Sequence, residues 1–168
     1  MTHFNDVSGP RIHLLSADAD TICNRVHRLA IAEPEAAVRL LRGLKMTSED
    51  SLFDEISAAC QFPYYFGYNW DALRDCMSDL AWMPAQRYVI LIGDADAMAA
   101  AAPQLLSQLL GTLNLVALEW ALPAVRALGS EGRPFHILLQ CQRDPAGVEK
   151  LMGDEQIEFD RRLWREWP

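Results

Sequence analysis

A chain of 168 residues, 51% hydrophobic and 23% charged, has the size and make-up of one globular domain, which excludes disordered and fibrous classes. Its 15 Lys+Arg against 23 Asp+Glu give a net charge of −8. That sign repels phosphate backbones and argues against a nucleic-acid partner, while favouring a basic protein whose surface potential is opposite. Cys23, Cys60, Cys76 and Cys141 stand far apart, as do His3, His13, His27 and His136, so neither a metal motif nor a cofactor is expected. The first ten residues lack a basic segment leading into an apolar one, and no 18 apolar residues run together. A chain without signal peptide or membrane span, in a reducing cytoplasm, is the expectation.

In chain order, Arg11–Leu15 reads as a short strand. A helix follows from about Asp18, with Ile22, Val26, Leu29 and Ala30 on one face, and Pro34 closes it. Ala37–Leu44 reads as a second strand. Thr47 with Asp50 three residues on resembles a capping box, opening a helix with the core stripe Leu52, Phe53, Ile56, Ala59 and Cys60. Gln61–Gly67 is an aromatic loop, and Asn69 fits as N-cap of a helix reaching about Leu80. Tyr88–Ile92 is continuously apolar, as expected of a strand covered on both faces of a parallel sheet. Pro103 suits the first turn of a helix running towards Trp120, and Phe135–Leu139 reads as the last strand. The charged tail from Gln142 holds Ile157, Leu163, Trp164 and Trp167, enough for a short amphipathic helix.

Strands separated by helices imply an α/β domain with a small parallel sheet of three to four strands. The order is β-α-β-α-α-β-α-β, with Arg11–Leu15 at a sheet edge. RIHLLSADAD and YVILIGDADA echo each other, each an apolar run ending in acids before a helix. Asp18, Asp20, Asp94 and Asp96 then read as helix-capping acids.

The helix after Asn69 carries the most information. Leu73, Cys76, Met77 and Leu80 recur at helical spacing and define a buried face. Asp71, Asp75 and Asp79 recur every fourth residue on the other side and span about 12 Å. Like charges so spaced cost a few tenths of a kcal/mol per pair, and Asp79 also opposes the helix dipole. Arg74 can reach Asp71 and relieve part of this. Local stability does not select such a stripe. It is either a solvated face, a recognition surface or, less readily, a divalent-cation site lacking convergent ligands.

FPYYFGYNWDALRDC, which spans this loop and helix, resembles the signature of the barstar family of ribonuclease inhibitors, P-x-Y-[YF]-G-x-N-x-D-A-L-x-D-C. Pro63, Tyr65, Phe66, Gly67, Asn69, Asp71, Ala72, Leu73, Asp75 and Cys76 fill its ten fixed positions. The resemblance covers residues 36–140 and implies a barstar-like three-layer fold. Residues 1–35 read as an extra β-α unit packed on the same domain, and 141–168 as a charged, aromatic tail. It further implies an inhibitor without catalytic residues, metal or cofactor, of antitoxin or immunity type. Such a protein covers the cleft of a basic ribonuclease with carboxylates in place of RNA phosphates. The family's two principal aspartates fall on Asp71 and Asp75, and its contact tyrosine on Tyr65.

The implied contact set is Tyr65, Phe66, Gly67, Tyr68, Asn69, Asp71, Arg74, Asp75, Ser78, Asp79 and Glu119. Several positions depart from the family. Phe66 lacks a tyrosine's hydroxyl, Tyr68 stands where an acid often follows the glycine, and Arg74 replaces an aromatic. Asp79 has no acidic counterpart, and the family's late-helix glutamate falls on Ala127 or, with an insertion, on Glu119. Tyr64, Tyr65, Phe66 and Tyr68 could equally pack the loop; His136, Trp82, Trp120, Trp164 and Trp167 read as structural, and Cys76 as a buried thiol. Two other functions are open at this point: a barstar-like module for a non-nuclease partner, and a Mg-dependent phosphatase using Asp94 and Asp96. The latter lacks the usual threonine, replaced by Met98, and the required downstream lysine.

Overall fold

The computed structural model describes residues 7–122 and 132–160. The structure has a five-stranded, all-parallel sheet in the order β2-β3-β4-β1-β5. The strands are β1 (Ile12–Ser16), β2 (Ala36–Arg42), β3 (Arg87–Gly93), β4 (Phe135–Cys141) and β5 (Phe159–Asp160). The helices are α1 (Ala19–Ala32), α2 (Glu49–Cys60), α3 (Trp70–Asp79), α4 (Ala95–Ala101), α5 (Pro103–Ala121) and α6 (Ala146–Asp154). Among the described residues, no helix is long and apolar enough to cross a membrane.

Side chains alternate across each strand, so the sheet divides the core in two. Tyr88, Ile90 and Ile92 of β3, with Phe135, Ile137 and Leu139 of β4, join the large core built by α2 to α6. Val89, Leu91 and Leu138 face the other way and pack with Leu15 and with Ile22 and Leu29 of α1. This is the three-layer arrangement expected of the sequence, with five strands in place of three or four.

Several local expectations change. β1 is not at the edge: β5 pairs outside it through Ile12 with Phe159 and His13 with Asp160. β4 is not the last strand and lies between β3 and β1. β2 ends at Arg42 and a 3₁₀ turn, Gly43–Lys45, follows. That turn needs glycine, since a Cβ on Gly43 would lie 2.4 Å from the Gly93 carbonyl oxygen. The second helix is capped by Ser48 with Ser51, not by Thr47 with Asp50, because the shorter serine pair closes the reciprocal bonds. Ala30 is exposed, off the α1 core face. The tail forms α6 and β5, with Ile157 buried; Leu163, Trp164 and Trp167 lie outside the described residues.

Of the echoed acids, Asp18 is an N-cap and accepts from Thr21 N at 2.8 Å. Asp94 has a left-handed backbone, φ 51°, and its side chain caps nothing. Asp96 instead accepts from the backbone N–H groups of Gln142, Arg143 and Asp144 at 3.2, 2.8 and 3.2 Å. His136 is buried as expected, 2.9 Å from His13 across β4 and β1.

Glu55, buried on α2, ties that helix to the end of β2. Its Oε1 accepts from the Arg42 backbone N and Nε, each at 2.9 Å, and its Oε2 from Nη2 at 2.7 Å. The Arg42 side-chain hydrogen bonds, helped by its backbone N–H and charge, outweigh burial and hold the Glu55 pKa below its usual value. A depressed carboxylate stabilises the fold fully above its unfolded pKa, about 4.3. That contribution is lost as pH falls through the lower folded value. In urea melts from pH 7 to pH 2, E55Q should therefore be less stable than wild type at neutral pH and converge with it in acid. A constant difference across that range would separate the effect from Glu55 ionisation.

Candidate protein-docking site

The site starts with the turn that delivers the loop. Phe66 N donates to the Pro63 carbonyl at 3.0 Å, closing a tight turn. Phe66 is only 6% exposed and packs against Phe53, Phe62 and Tyr68 with ring centroids 6.1, 4.9 and 4.9 Å away. It anchors the loop and offers a partner almost no surface. Tyr64, Tyr65 and Tyr68 point outward, at 101%, 61% and 56% exposure. Tyr68 adopts φ 49°, a left-handed conformation costly for a tyrosine, immediately after Gly67.

Asn69 fastens loop to helix. Its Oδ1 accepts from Ala72 N at 2.8 Å, the expected cap, and its Nδ2 donates to the Gly67 carbonyl at 3.1 Å. Trp70 is held by donating Nε1–H to Glu49 Oε1 on α2 at 2.8 Å. α3 then runs with Leu73, Cys76 and Met77 buried and Leu80 as a left-handed C-cap, so its polar side faces solvent. Asp71, Asp75 and Asp79 are all exposed. Burial, with Asp75 and Asp79 adding to it, pushes the Cys76 thiol up, which favours the protonated form over the reactive thiolate.

Arg74 acts on Asp71 through its charge but makes its ion pair elsewhere. It forms an ion pair with Glu119 of α5, whose Oε2 also accepts from Ser78 Oγ at 2.6 Å. Burial works against the Glu119 carboxylate, but the bonds from Arg74 and Ser78 and the arginine's charge outweigh it and lower its pKa. One residue on, Trp120 donates Nε1–H to the Met77 carbonyl at 2.9 Å. Glu119 is thereby brought beside the polar side of α3, with Arg74 and Ser78, whereas Ala127 lies outside the described residues. Of the expected contact set, Tyr65, Tyr68, Asp71, Asp75 and Asp79 form the exposed surface. Phe66, Gly67 and Asn69 build the loop, and Arg74, Ser78 and Glu119 form a brace between helices. The expected contact set omits Tyr64, which no spacing distinguishes from the packed Phe66, and Glu49, which lies 21 residues from Trp70 with no local signal.

The comparisons with known proteins fit this fold and extend no further for its solved neighbours. The chain is similar to the Aeropyrum pernix ORC2 protein in its ADP form (TM-score 0.60, 12% identity) and in its ADPNP–ADP complexes (0.60, 13%). The matches cover 92% and 90% of this chain but only 42% and 41% of the ORC2 chains, so this chain spans less than half their length. At such identity the likeness concerns the fold alone. Comparison with curated proteins finds no match. A family model, Barstar (barnase inhibitor), matches residues 36–140, which hold β2 to β4, the aromatic loop and α3. On that match over more than half its length, the chain belongs to the Barstar family.

Proposed function

We propose that this protein is a non-enzymatic cytoplasmic inhibitor, of antitoxin or immunity type, that blocks the active site of a basic microbial ribonuclease. The docking surface is the acidic row Asp71, Asp75 and Asp79 with the tyrosines before it. The observation that carries this reading is the exposure of Tyr64, Tyr65 and Tyr68 next to that row, in a protein that buries Phe53, Tyr88, Trp120 and Phe135. Exposed aromatics beside a single-sign charged face suit a partner with a cationic, partly apolar cleft. The row substitutes for consecutive phosphates, and arginine, lysine or histidine donors that hold RNA would hold carboxylates by the same charge-assisted bonds.

Two observations weigh against enzymatic readings. Asp96 is engaged by three backbone N–H groups and is committed to the loop after β4, which leaves the phosphatase pair without its second carboxylate. The ADP named for the similar ORC2 structures has no cradle here. The sequence contains no G-x-x-x-x-G-K-[ST] run, and Asp18 and Asp20 occupy the start of α1, where they repel phosphate. The test is a titration of the protein into basic ribonucleases of the barnase type, followed with a fluorogenic RNA. Activity should fall linearly to zero near one equivalent. Full activity of every such nuclease at tenfold excess overturns the reading, and the protein's capture of a non-nuclease partner would replace it.

A further inference from the structure

A cleft of about 500 Å³ opens at the amino ends of β2 and β3, lined among others by Glu35, Arg39, Gln61, Trp82, Pro84 and Arg133. None of these belongs to the docking surface. Two of them are half-buried arginines that no carboxylate partners: each has one N–H on a backbone carbonyl and no other partner among the described residues. Arg39 Nη1 donates to Val38 O at 2.8 Å, and Arg133 Nη1 to Ala85 O at 3.0 Å. This contrasts with Arg42, Arg74 and Arg87, each paired with a glutamate. In a chain with eight more acids than bases, two half-buried arginines with no carboxylate partner among the described residues, both lining one cleft, are unexpected, because a partly buried charge is ordinarily paired.

Both are firmly placed. Arg39 follows the large-core side of β2, between Ala37 and Leu41, and its charge opposes the burial that pushes the neighbouring Cys60 thiol up to about 12. Arg133 is set by its backbone, whose N–H donates to the Trp120 carbonyl at 2.8 Å. That approach requires Gly132, where a Cβ would sit 2.5 Å from the Ala121 carbonyl oxygen. Trp82 is fixed by its Nε1–H bond to the Cys60 carbonyl at 3.0 Å and supplies an aromatic wall. Glu35, exposed, is the one acid among the described residues of the lining.

We infer that this cleft binds a small phosphate-bearing molecule, its phosphate shared between the Arg39 and Arg133 guanidiniums. The planar fork of arginine matches phosphate oxygens, and two forks suit a dianion better than a single carboxylate. The molecule's overall charge does not oppose this, since surface acids farther than a Debye length of about 8 Å are screened while the two guanidiniums act at contact. The cleft's volume is within the range of small-ligand sites.

Isothermal titration calorimetry of the full chain with inorganic phosphate, and separately with succinate, at fixed ionic strength tests the site. Wild type should bind phosphate, with succinate weaker. R39Q and R133Q should each weaken phosphate binding roughly tenfold or more, while R143Q, altering an arginine outside the cleft, should leave it unchanged. If R39Q does not fold, R39K, which keeps the charge and loses the fork, takes its place. No phosphate binding by wild type, undiminished binding in either cleft variant, or succinate binding as tight as phosphate overturns the site. Ribonuclease inhibition should be untouched in the cleft variants, and phosphate binding untouched in D75A, so the two sites stand or fall separately.

Discussion

Replacing Asp75 with alanine will weaken ribonuclease binding more than any other single change in α3. Asp75 is the middle acid of the row, with Asp71 and Asp79 each about 6 Å along the helix axis, so the negative potential peaks there. Arg74, the neighbouring cation on α3, gives its hydrogen bond to Glu119 and not to the row, although its charge still acts on Asp75 and Asp71. A nuclease cleft built for phosphate can offer several donors to one central carboxylate. Removing one member of such a desolvated charge pair costs about 2–5 kcal/mol, a range that barstar-type complexes themselves helped to establish. The expected order of loss is D75A over D71A over D79A. Folding should hardly change, because the side chain is exposed and its removal relieves like-charge repulsion. Competition binding and thermal melts on the three variants decide it. Unchanged affinity in D75A, or its unfolding, removes the acidic row from the recognition surface.

Trp120 is where the largest loss of stability is expected. It is 1% exposed, and its ring lies 4.6 Å from Tyr88 and 6.4 Å from Phe135, centroid to centroid. Its Nε1–H satisfies the Met77 carbonyl, one of the last four of α3, which have no partner within the helix. W120A leaves both a cavity and an unsatisfied acceptor, costing about 3–5 kcal/mol. For a chain this long that lowers the midpoint by about 10 °C. W120F keeps most of the packing and should lose clearly less. Since Glu119 and Trp120 are adjacent on α5 and both bond to α3, W120A should also loosen the Arg74–Glu119 brace. A melt within 2 °C of wild type would show that the aromatic cluster reseats without the indole.

The residues that were legible in the sequence are those whose signal is local. Asn69, the period of Leu73, Cys76, Met77 and Leu80, and the acidic row are all set within one helix, and the structure places them as read. Tyr88–Ile92 likewise declares itself by five apolar residues in succession. What was missed depends on distance along the chain. Glu119 and Arg74 meet across 45 residues, so Arg74 was assigned to Asp71, the nearest acid by helical spacing. Asp96 is consumed by a loop 46 residues later, which no rule about capping foresees. α4 is seven residues, five of them alanine, too short to display a period. β5 is two residues held only by pairing, and its absence from the reading is why β1 was placed at an edge. The proposed docking surface is legible as chemistry, while which aromatic is anchor and which is free needed the packing of Phe53 and Phe62 against Phe66.

The sheet order bears on how this protein can be handled. The segment 36–140 that matches the family contributes only β2, β3 and β4, and the strand that finishes β4 on its far side comes from residues 12–16. Excised at those limits, the chain would present the bare hydrogen-bonding groups of β4, a strand buried along its whole length. A flat apolar template of that kind recruits strands from other chains, so self-association visible in light scattering is the expected fate of the shortened segment. In the full chain the same danger is met twice at little expense. β2, the strand at one margin, has two charged residues, Arg39 and Arg42, among its seven, and β5 closes the opposite margin with a strand too short to seed another.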